Sequence, residues 1–595
     1  MAHKDRTLAS ILEQQARRYG ARVFLRDKSN KNWRDHSWVD IADRAARLRT
    51  GLHQMGVKAG DRIAILADNS PGWVEVDMAA LGLGAIVVPL YTTGGTEETR
   101  HVLSDSGARL VAVDSQSRLE KICSLGPLPA LETILSLNSA ALERGNGFQV
   151  VPLEQATANA PMAVRPVDPD QVATFIYTSG TTGSAKGVML SHGNIIANCE
   201  SNRDALGLND KDSVLSFLPV AHSFERTAGY YTVMLAGGTI TYSQGLAHIA
   251  ADLVEVQPTV VLAVPRVLEA VYNRVMRTVA SSTALRQRIF HTAVAIGRRA
   301  AEYRHRGHSV PPWLAATMVL ARRLVFSRIR SIFGSRLRYL VSGGAPLSTE
   351  INWLLAAAEI PIVEGYGLTE ASPVVSCNLH GQTRIGTVGR PLKNIEVRTA
   401  ADGELLVRGP NVMKGYYNRQ HETREAIDPE GWLHTGDIAQ LDDDGYIKII
   451  DRKKDIIVLS GGKNVSAANL ENRLISDPFI AQACVVGDRR KHLTAILVPD
   501  FEALSAQPRD ELRIRERRPT DLINDPALRD FFRRRIREFN RPLSDAERIV
   551  DFILTDRPFS QENGELTPTL KVRRRAVQEH YRDQIEALYR TSSPE

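Results

Sequence analysis

Residues 177–187, YTSGTTGSAKG, constrain the fold more than any other stretch. Three glycines, a run of serine and threonine and one lysine follow directly on an apolar segment, Val172 to Ile176. Glycine lets a backbone approach a ligand closely, hydroxyls donate hydrogen bonds, and Lys186 supplies positive charge. Together they describe a polyphosphate-holding loop at a strand end. A plain glycine-rich surface turn is the competing reading, which this density of phosphate-suited groups disfavours. The loop is not a Walker A motif, because Lys186 stands between Ala185 and Gly187.

The flanking pattern is that of α/β layers. Arg62 to Ala67, Ala85 to Leu90, Leu110 to Val113 and Val260 to Val264 are short apolar runs that read as buried strands, many of them parallel. Between such runs lie amphipathic segments, as in Trp38 to Met55 with Ile41, Ala45, Leu48 and Leu52 on one face. With 595 residues the chain exceeds one ordinary core. The expected division is a large α/β domain over 1–450 and a small mobile α/β domain over 451–595. Short β-rich pieces separated by Gly and Asp turns (IEVRT, GELLVRG, GYIKII) predict a small β-barrel or sheet at about 391–450.

The N-terminus has no apolar core of a signal peptide, and the longest apolar run, Met78 to Tyr91, is too short to span a bilayer. Cys123, Cys199, Cys377 and Cys484 form no CxxC pair, so neither a disulfide framework nor a zinc site is expected, and the cytoplasm is the expected location. Charge is unevenly placed. Arg274 to Arg338 holds fourteen arginines and no lysine against one acid, Glu302. That stretch reads as helices broken at Pro311 and Pro312. A solvated helical face is one reading, and peripheral contact with an anionic membrane is the other. No nucleic-acid partner is expected.

Four further motifs follow the glycine-rich loop: GYGLTE (Gly365 to Glu370), HTGD (His434 to Asp437), DRKKDIIVLSGGKNV (Asp451 to Val465) and NGELTPTLK ending at Lys571. In this order and spacing they resemble the signatures of the adenylate-forming superfamily, which includes acyl-CoA synthetases, luciferases and peptide-synthetase adenylation domains. The resemblance runs from about Thr7 to Arg575. It implies ATP, Mg²⁺ and coenzyme A as ligands. Thr178, Ser179, Gly180, Thr181, Thr182, Gly183 and Lys186 would hold phosphates. Gly343, Gly344, Ala345, Pro346, Glu364, Gly365, Tyr366 and Gly367 would wall the adenine pocket, with Tyr366 stacked on the base. Thr369 would lie near the α-phosphate, and Glu370 with Thr178 would hold the metal, since magnesium takes few protein ligands. Asp437 would accept both ribose hydroxyls, and Arg452 would reach ribose or phosphate. Lys454 matches the hinge between the domains. Ser460, Gly461 and Gly462 would leave room for coenzyme A, and Lys571 would serve adenylation. Lys571 follows Thr-Leu where many relatives have Ser-Gly, a departure common among long-chain acyl-CoA ligases.

The stretch LPVAHSFERTAGYY (Leu218 to Tyr231) and the helical insertion near 274–333 resemble the long-chain branch. His222 matches the residue between acyl pocket and phosphate site, and a hydrophobic tunnel is expected beside 218–245. The implied substrate is a long-chain fatty acid, adenylated and then transferred to coenzyme A. Two alternatives remain: delivery of the acyl group to a carrier protein, and a non-catalytic, membrane-associated lipid binder.

Overall fold

The computed structural model describes residues 6–29, 32–138, 148–178, 184–379, 381–505, 518–567 and 572–591. Ser179, Gly180, Thr181, Thr182, Gly183 and Lys571 lie outside the described residues.

Two large sheets build the first domain. One has eight strands, in spatial order Gly415–Tyr416, Lys186–Ser191, Val172–Thr178, Ile86–Pro89, Arg62–Leu66, Leu110–Val113, Thr133–Ser136 and Gln149–Pro152. The other has nine, with Ile362–Gly367, Tyr339–Ser342, Val260–Ala263, Ser213–Ser216 and Thr239–Tyr242 parallel at its centre. The apolar runs of the sequence become strands because both faces are covered. Ile63, Ala64, Ile65 and Leu66 are each fully buried. The amphipathic stretch forms the helix Trp38–Gln54, which buries Ile41, Ala45, Leu48 and Leu52. The glycine-rich loop joins two antiparallel strands, with Thr178 opposite Lys186.

The apolar run that begins at Met78 divides between a helix, Pro71–Leu83, and the strand Ile86–Pro89. Burial all round suits a helix that is apolar on most of its faces. It nonetheless carries Asp77, fully buried against Arg226. The Arg226 guanidinium also donates to Thr174 Oγ1 (2.8 Å) and Tyr231 Oη (2.9 Å), and the Tyr231 hydroxyl donates to Asp77 Oδ2 (2.8 Å). The arginine of the FER motif is thus a cross-link between helix, sheet and the π-helical turn Glu225–Tyr231.

The β-rich stretch takes the form of a four-stranded antiparallel sheet, Glu396–Thr399, Glu404–Arg408, Leu433–Leu441 and Ile447–Arg452. The basic region forms helices Pro265–Ala280, Ala284–His305 and Pro312–Ala321. They bury Leu268, Phe290 and Leu314 in one core with Val261, Leu340 and Ile362 of the nine-stranded sheet. Beyond the turn at 453–455, a three-stranded sheet (Ile480–Val486, Leu493–Pro499, Ile549–Leu554) has its own core around Leu470, Leu497 and Phe532. The molecule is therefore a large N-terminal α/β domain with a smaller C-terminal α/β domain.

Two expected outcomes follow from the buried charges. Asp77→Ala strands the Arg226 cation and costs about 3–5 kcal/mol, whereas Asp77→Leu with Arg226→Met costs far less; thermal unfolding of the three proteins checks this. Burial lifts the Glu225 carboxyl to about 7 from its ordinary 4.5, against the hydrogen bond donated by Ser216 (2.6 Å). A carboxyl whose folded pKa is raised contributes fully below pH 4.5 and loses that stability as pH rises through 7. Glu225→Gln accordingly matches wild type at pH 4.5 and exceeds it at pH 8, by about 3 kcal/mol at 1.36 kcal/mol per pH unit.

Candidate active site

The cleft opens where strand ends of the two large sheets face each other. Asn69, just beyond the strand Arg62–Leu66, bridges them. Its amide donates to Leu218 O (2.7 Å) and Ser216 Oγ (3.0 Å), and its oxygen accepts from Val220 N–H (2.9 Å). That clamp sets the segment carrying His222. The His222 Nδ1 accepts from Phe224 N–H (3.1 Å), which places the ring proton on Nε2, and its ring lies 6.4 Å from that of Tyr91. Ser223 bonds Thr369 Oγ1 at 3.0 Å, and the Phe224 ring packs under Gly343. His222, Gly343 and Thr369 therefore belong to one wall. Gly344, Ala345 and Pro346 are exposed beside it.

The strand Ile362–Gly367 delivers the GYGLTE motif. Gly367 tolerates no side chain, because a Cβ there would lie 2.1 Å from Pro373 O. Glu364 turns away from open space. Its carboxylate accepts from Asn352 Nδ2 (2.9 Å) and the Leu347 N–H (3.4 Å), so it braces the 343–347 loop. Burial pushes Glu364 up to about 7. Tyr366 donates its hydroxyl to Asp437 Oδ2 at 2.5 Å. Burial first, then the Asp437 charge, holds Tyr366 well above the ordinary tyrosine range.

Asp437 reaches this point through its strand. It sits opposite Arg452 in the ladder between Leu433–Leu441 and Ile447–Arg452, and the Arg452 Nε lies 3.4 Å from its Oδ1. The preceding Gly436 has φ +71°, a left-handed conformation that favours glycine, and its N–H donates to Glu404.

Glu370 is held by a residue that the motifs did not single out. The Tyr416 hydroxyl donates to Glu370 Oε1 (2.9 Å), and the Lys186 ammonium lies 5.1 Å from the Tyr416 ring centroid. Burial and then Glu370 raise the Tyr416 phenol. Tyr416 pairs with Val188 on the sheet edge. An aromatic residue in GYYN carries no sign in one sequence of which acid it meets. Among the described residues no cluster of three or more His, Cys, Asp or Glu could hold a metal. One carboxylate and one hydroxyl, Glu370 and Thr178, nevertheless suit magnesium bound chiefly through phosphates and water.

The domain junction is built on two residues, one position apart from a shared neighbour, with opposite anchors. Lys453 binds Asp402 (2.6 Å) and Glu404 (3.1 Å) in the large domain, while Asp455 meets Arg574 (3.5 Å) in the small one. Lys454 lies between them with an exposed side chain. Ser460 N–H donates to Arg490 O (2.8 Å), and a Cβ at Gly461 or Gly462 would meet nothing within 4 Å. The flanks of two undescribed segments line one cavity of about 570 Å³: Ser184 and Ala185 on one side, Leu566 and Arg573 on the other.

Comparison with known proteins decides the family. Residues 12–417 match the AMP-binding enzyme family and residues 454–593 match the AMP-binding enzyme C-terminal domain. The chain belongs to the AMP-binding, adenylate-forming enzymes. Among curated relatives of this adenylating chain, a long-chain-fatty-acid–CoA ligase of Mycobacterium bovis is 36% identical over 94% of this chain and 92% of its own. A peroxisomal long-chain acyl-CoA synthetase of Arabidopsis thaliana is 31% identical over 93% and 82%. The adenylation domain of a carboxylate reductase from Mycobacterium chelonae superposes with TM-score 0.78 at 25% identity, over 98% of this chain and 91% of its own. The o-succinylbenzoate–CoA synthetase of Bacillus subtilis, solved with ATP and magnesium, shares the fold at TM-score 0.67 and 22% identity, over 95% and 98%. The protein is an adenylating enzyme of the AMP-forming acid–thiol ligase family.

Tyr416→Phe removes one hydrogen bond to a charged group, worth about 1.5–3 kcal/mol. The expected result is an intact fold with ATP–pyrophosphate exchange lowered about 10- to 100-fold, against complete loss in Glu370→Ala.

Proposed function

We propose that this enzyme activates a long-chain fatty acid as its acyl-adenylate and passes the acyl group to coenzyme A. The observation that carries the substrate class is the run of full-length relatives named as long-chain fatty-acid–CoA ligases, at 36% identity over 94% of the chain. The acyl chain is assigned to the apolar segment around Leu218, Val220 and Phe224, all buried beside His222.

In the first half-reaction the fatty-acid carboxylate attacks the α-phosphorus of ATP and pyrophosphate leaves. Lys186 neutralises charge on the phosphates and Lys571 at the reacting centre, Thr369 and His222 orient the reacting groups, and Thr178 with the 179–183 loop holds the tail. Magnesium, held by Glu370 and Thr178, offsets further phosphate charge when bound. Tyr366 and the 343–346 loop hold adenine, and Asp437 with Arg452 holds ribose. In the second half-reaction the coenzyme A thiol attacks the acyl carbonyl and AMP leaves. A rotation at Lys454 replaces the Lys571 side of the small domain by the Ser460–Gly462 side. The present arrangement, with Leu566 and Arg573 facing Ser184 and Ala185, supports an adenylating pose.

A second reading is delivery to a carrier protein, favoured by the likeness to a carboxylate-reductase adenylation domain. Thioester formed on a carrier protein but not on coenzyme A establishes that reading instead.

The test separates the half-reactions. Lys571→Ala is expected to abolish acyl-AMP formation while still converting supplied acyl-AMP to acyl-CoA. Gly461→Leu is expected to do the reverse. Position 461 is the better probe than 462, whose φ of +74° would strain any side chain. Assays over fatty acids of graded length should place the best kcat/KM at long chains. A better value for acetate or an aryl acid overturns the substrate class, and equal loss of both half-reactions in folded Lys571→Ala overturns the two-pose mechanism.

A further inference from the structure

The helical insertion turns outward an apolar surface that its own core does not use. Helix Pro312–Ala321 (PWLAATMVLA) contains no charged residue, yet it buries only Leu314, Met318 and Ala321. Trp313 is 54% exposed, Val319 59% and Leu320 60%, and nearby Leu324 and Leu285 are exposed as well. Of ten large apolar side chains exposed among the described residues, six fall within 285–324. Scattered exposed leucines need no cause, but a concentration of this kind does.

The same segment is strongly cationic. Arg286, Arg288, Arg299, Arg306, Arg323 and Arg328 are exposed, and none of them has a carboxylate within 4.0 Å among the described residues. The Arg299 guanidinium lies 5.1 Å from the Trp313 ring centroid, so cation and aromatic are neighbours. A solvated face accounts for the arginines but not for outward Trp313, Val319 and Leu320. An apolar protein groove accounts for those three but leaves the cations unpaired. An anionic bilayer satisfies both: aliphatic and indole groups enter the headgroup boundary while guanidiniums bind phosphate. Among the described residues no helix is long and apolar enough to cross a membrane, and the contact proposed is a peripheral one.

We propose that the 285–328 face docks on an anionic phospholipid bilayer and seats helix Pro312–Ala321 in its headgroup region. The test is sedimentation of the full chain with vesicles of phosphatidylcholine alone and of phosphatidylcholine with phosphatidylglycerol, at low and high salt. Partition favours the anionic vesicles and falls with salt. Each arginine removed lowers it about fivefold, so Arg286→Gln with Arg288→Gln and Arg323→Gln loses roughly a hundredfold. Trp313→Ser with Leu320→Ser, both exposed and outside the core, also releases the protein while its circular dichroism is unchanged. Equal binding to both vesicles, binding to neither, or a dimer in light scattering that Trp313→Ser with Leu320→Ser dissolves each overturns the proposal.

A different observation concerns the domain junction. Glu98, in the first turn of helix Thr96–Ser106, and Arg573, two residues beyond Lys571, line the cavity that also holds Ser184 and His101. Both are half-buried. Burial raises the Glu98 carboxyl, and the charge of Arg573 is the largest influence opposing it, ahead of Lys121. His101 Nε2 donates to Ala185 O (2.8 Å), so the helix that carries Glu98 is fastened to the phosphate-loop strand. We infer that Glu98 and Arg573 are positioning residues whose opposite charges, on the cavity that both line, latch the small domain in the adenylating pose.

This rests on the two-pose reading above, and a charge-reversal cycle tests it. Glu98→Lys and Arg573→Glu each lower ATP–pyrophosphate exchange tenfold or more, the double reversal restores most of it, and conversion of supplied acyl-AMP is unchanged in all three. Failure of the double variant to recover, or equal loss of both half-reactions, overturns the latch. Absence of exchange in the wild-type enzyme would instead overturn the adenylating function itself.

Discussion

The pairing of Asp437 with Arg452 is the contact on which the rest of the site depends. Two antiparallel strands place the residues opposite each other, and the ladder ends at once in the 453–455 turn. A single antiparallel strand pair therefore supplies a carboxylate, a guanidinium and the start of the second domain. Tyr366 closes the arrangement from the nine-stranded sheet through its bond to Asp437. Shifting the strand register by one residue would turn Asp437 to the opposite face and remove all three relations together.

Much of this was legible in the order of residues. Short apolar runs became buried strands because each lies inside a covered sheet, and the change to Gly- and Asp-punctuated pieces after 390 became the four-stranded antiparallel sheet. The motifs at 365–370, 434–437 and 451–465 were visible as local chemistry, and the fold brings Tyr366, Asp437 and Arg452 together. Other relations were hidden because they are long-range. Nothing local in Asp77 announces Arg226, 149 residues later, since a lone acid in an apolar helix gains meaning only from its partner. Tyr416 and Asn69 were missed for the same reason. Each is an ordinary polar side chain whose importance comes from what a distant strand carries to it.

The arginine-rich segment shows the opposite case. Its charge was plain in the sequence, and its helices formed where the pattern and the Pro311–Pro312 break placed them. What composition could not show is which side of an apolar helix faces the core. Helix Pro312–Ala321 buries one narrow stripe and leaves Trp313, Val319 and Leu320 outside. Helix Pro71–Leu83, also rich in apolar residues though it carries Glu75 and Asp77, is buried on nearly every side because two other helices and strands of both large sheets enclose it. Two predominantly apolar helices thus have two structural outcomes, decided by the neighbours available.

The central claim is that these groups converge to adenylate a fatty acid, with the thioester step separate and later. Fatty-acid-dependent exchange of labelled pyrophosphate into ATP, measured on the wild-type enzyme without coenzyme A, tests it most directly. The account predicts exchange that requires a long-chain acid and magnesium and that yields no thioester until coenzyme A is added. Pyrophosphate exchange that is absent with every carboxylic acid, or that begins only when coenzyme A is present, would contradict it.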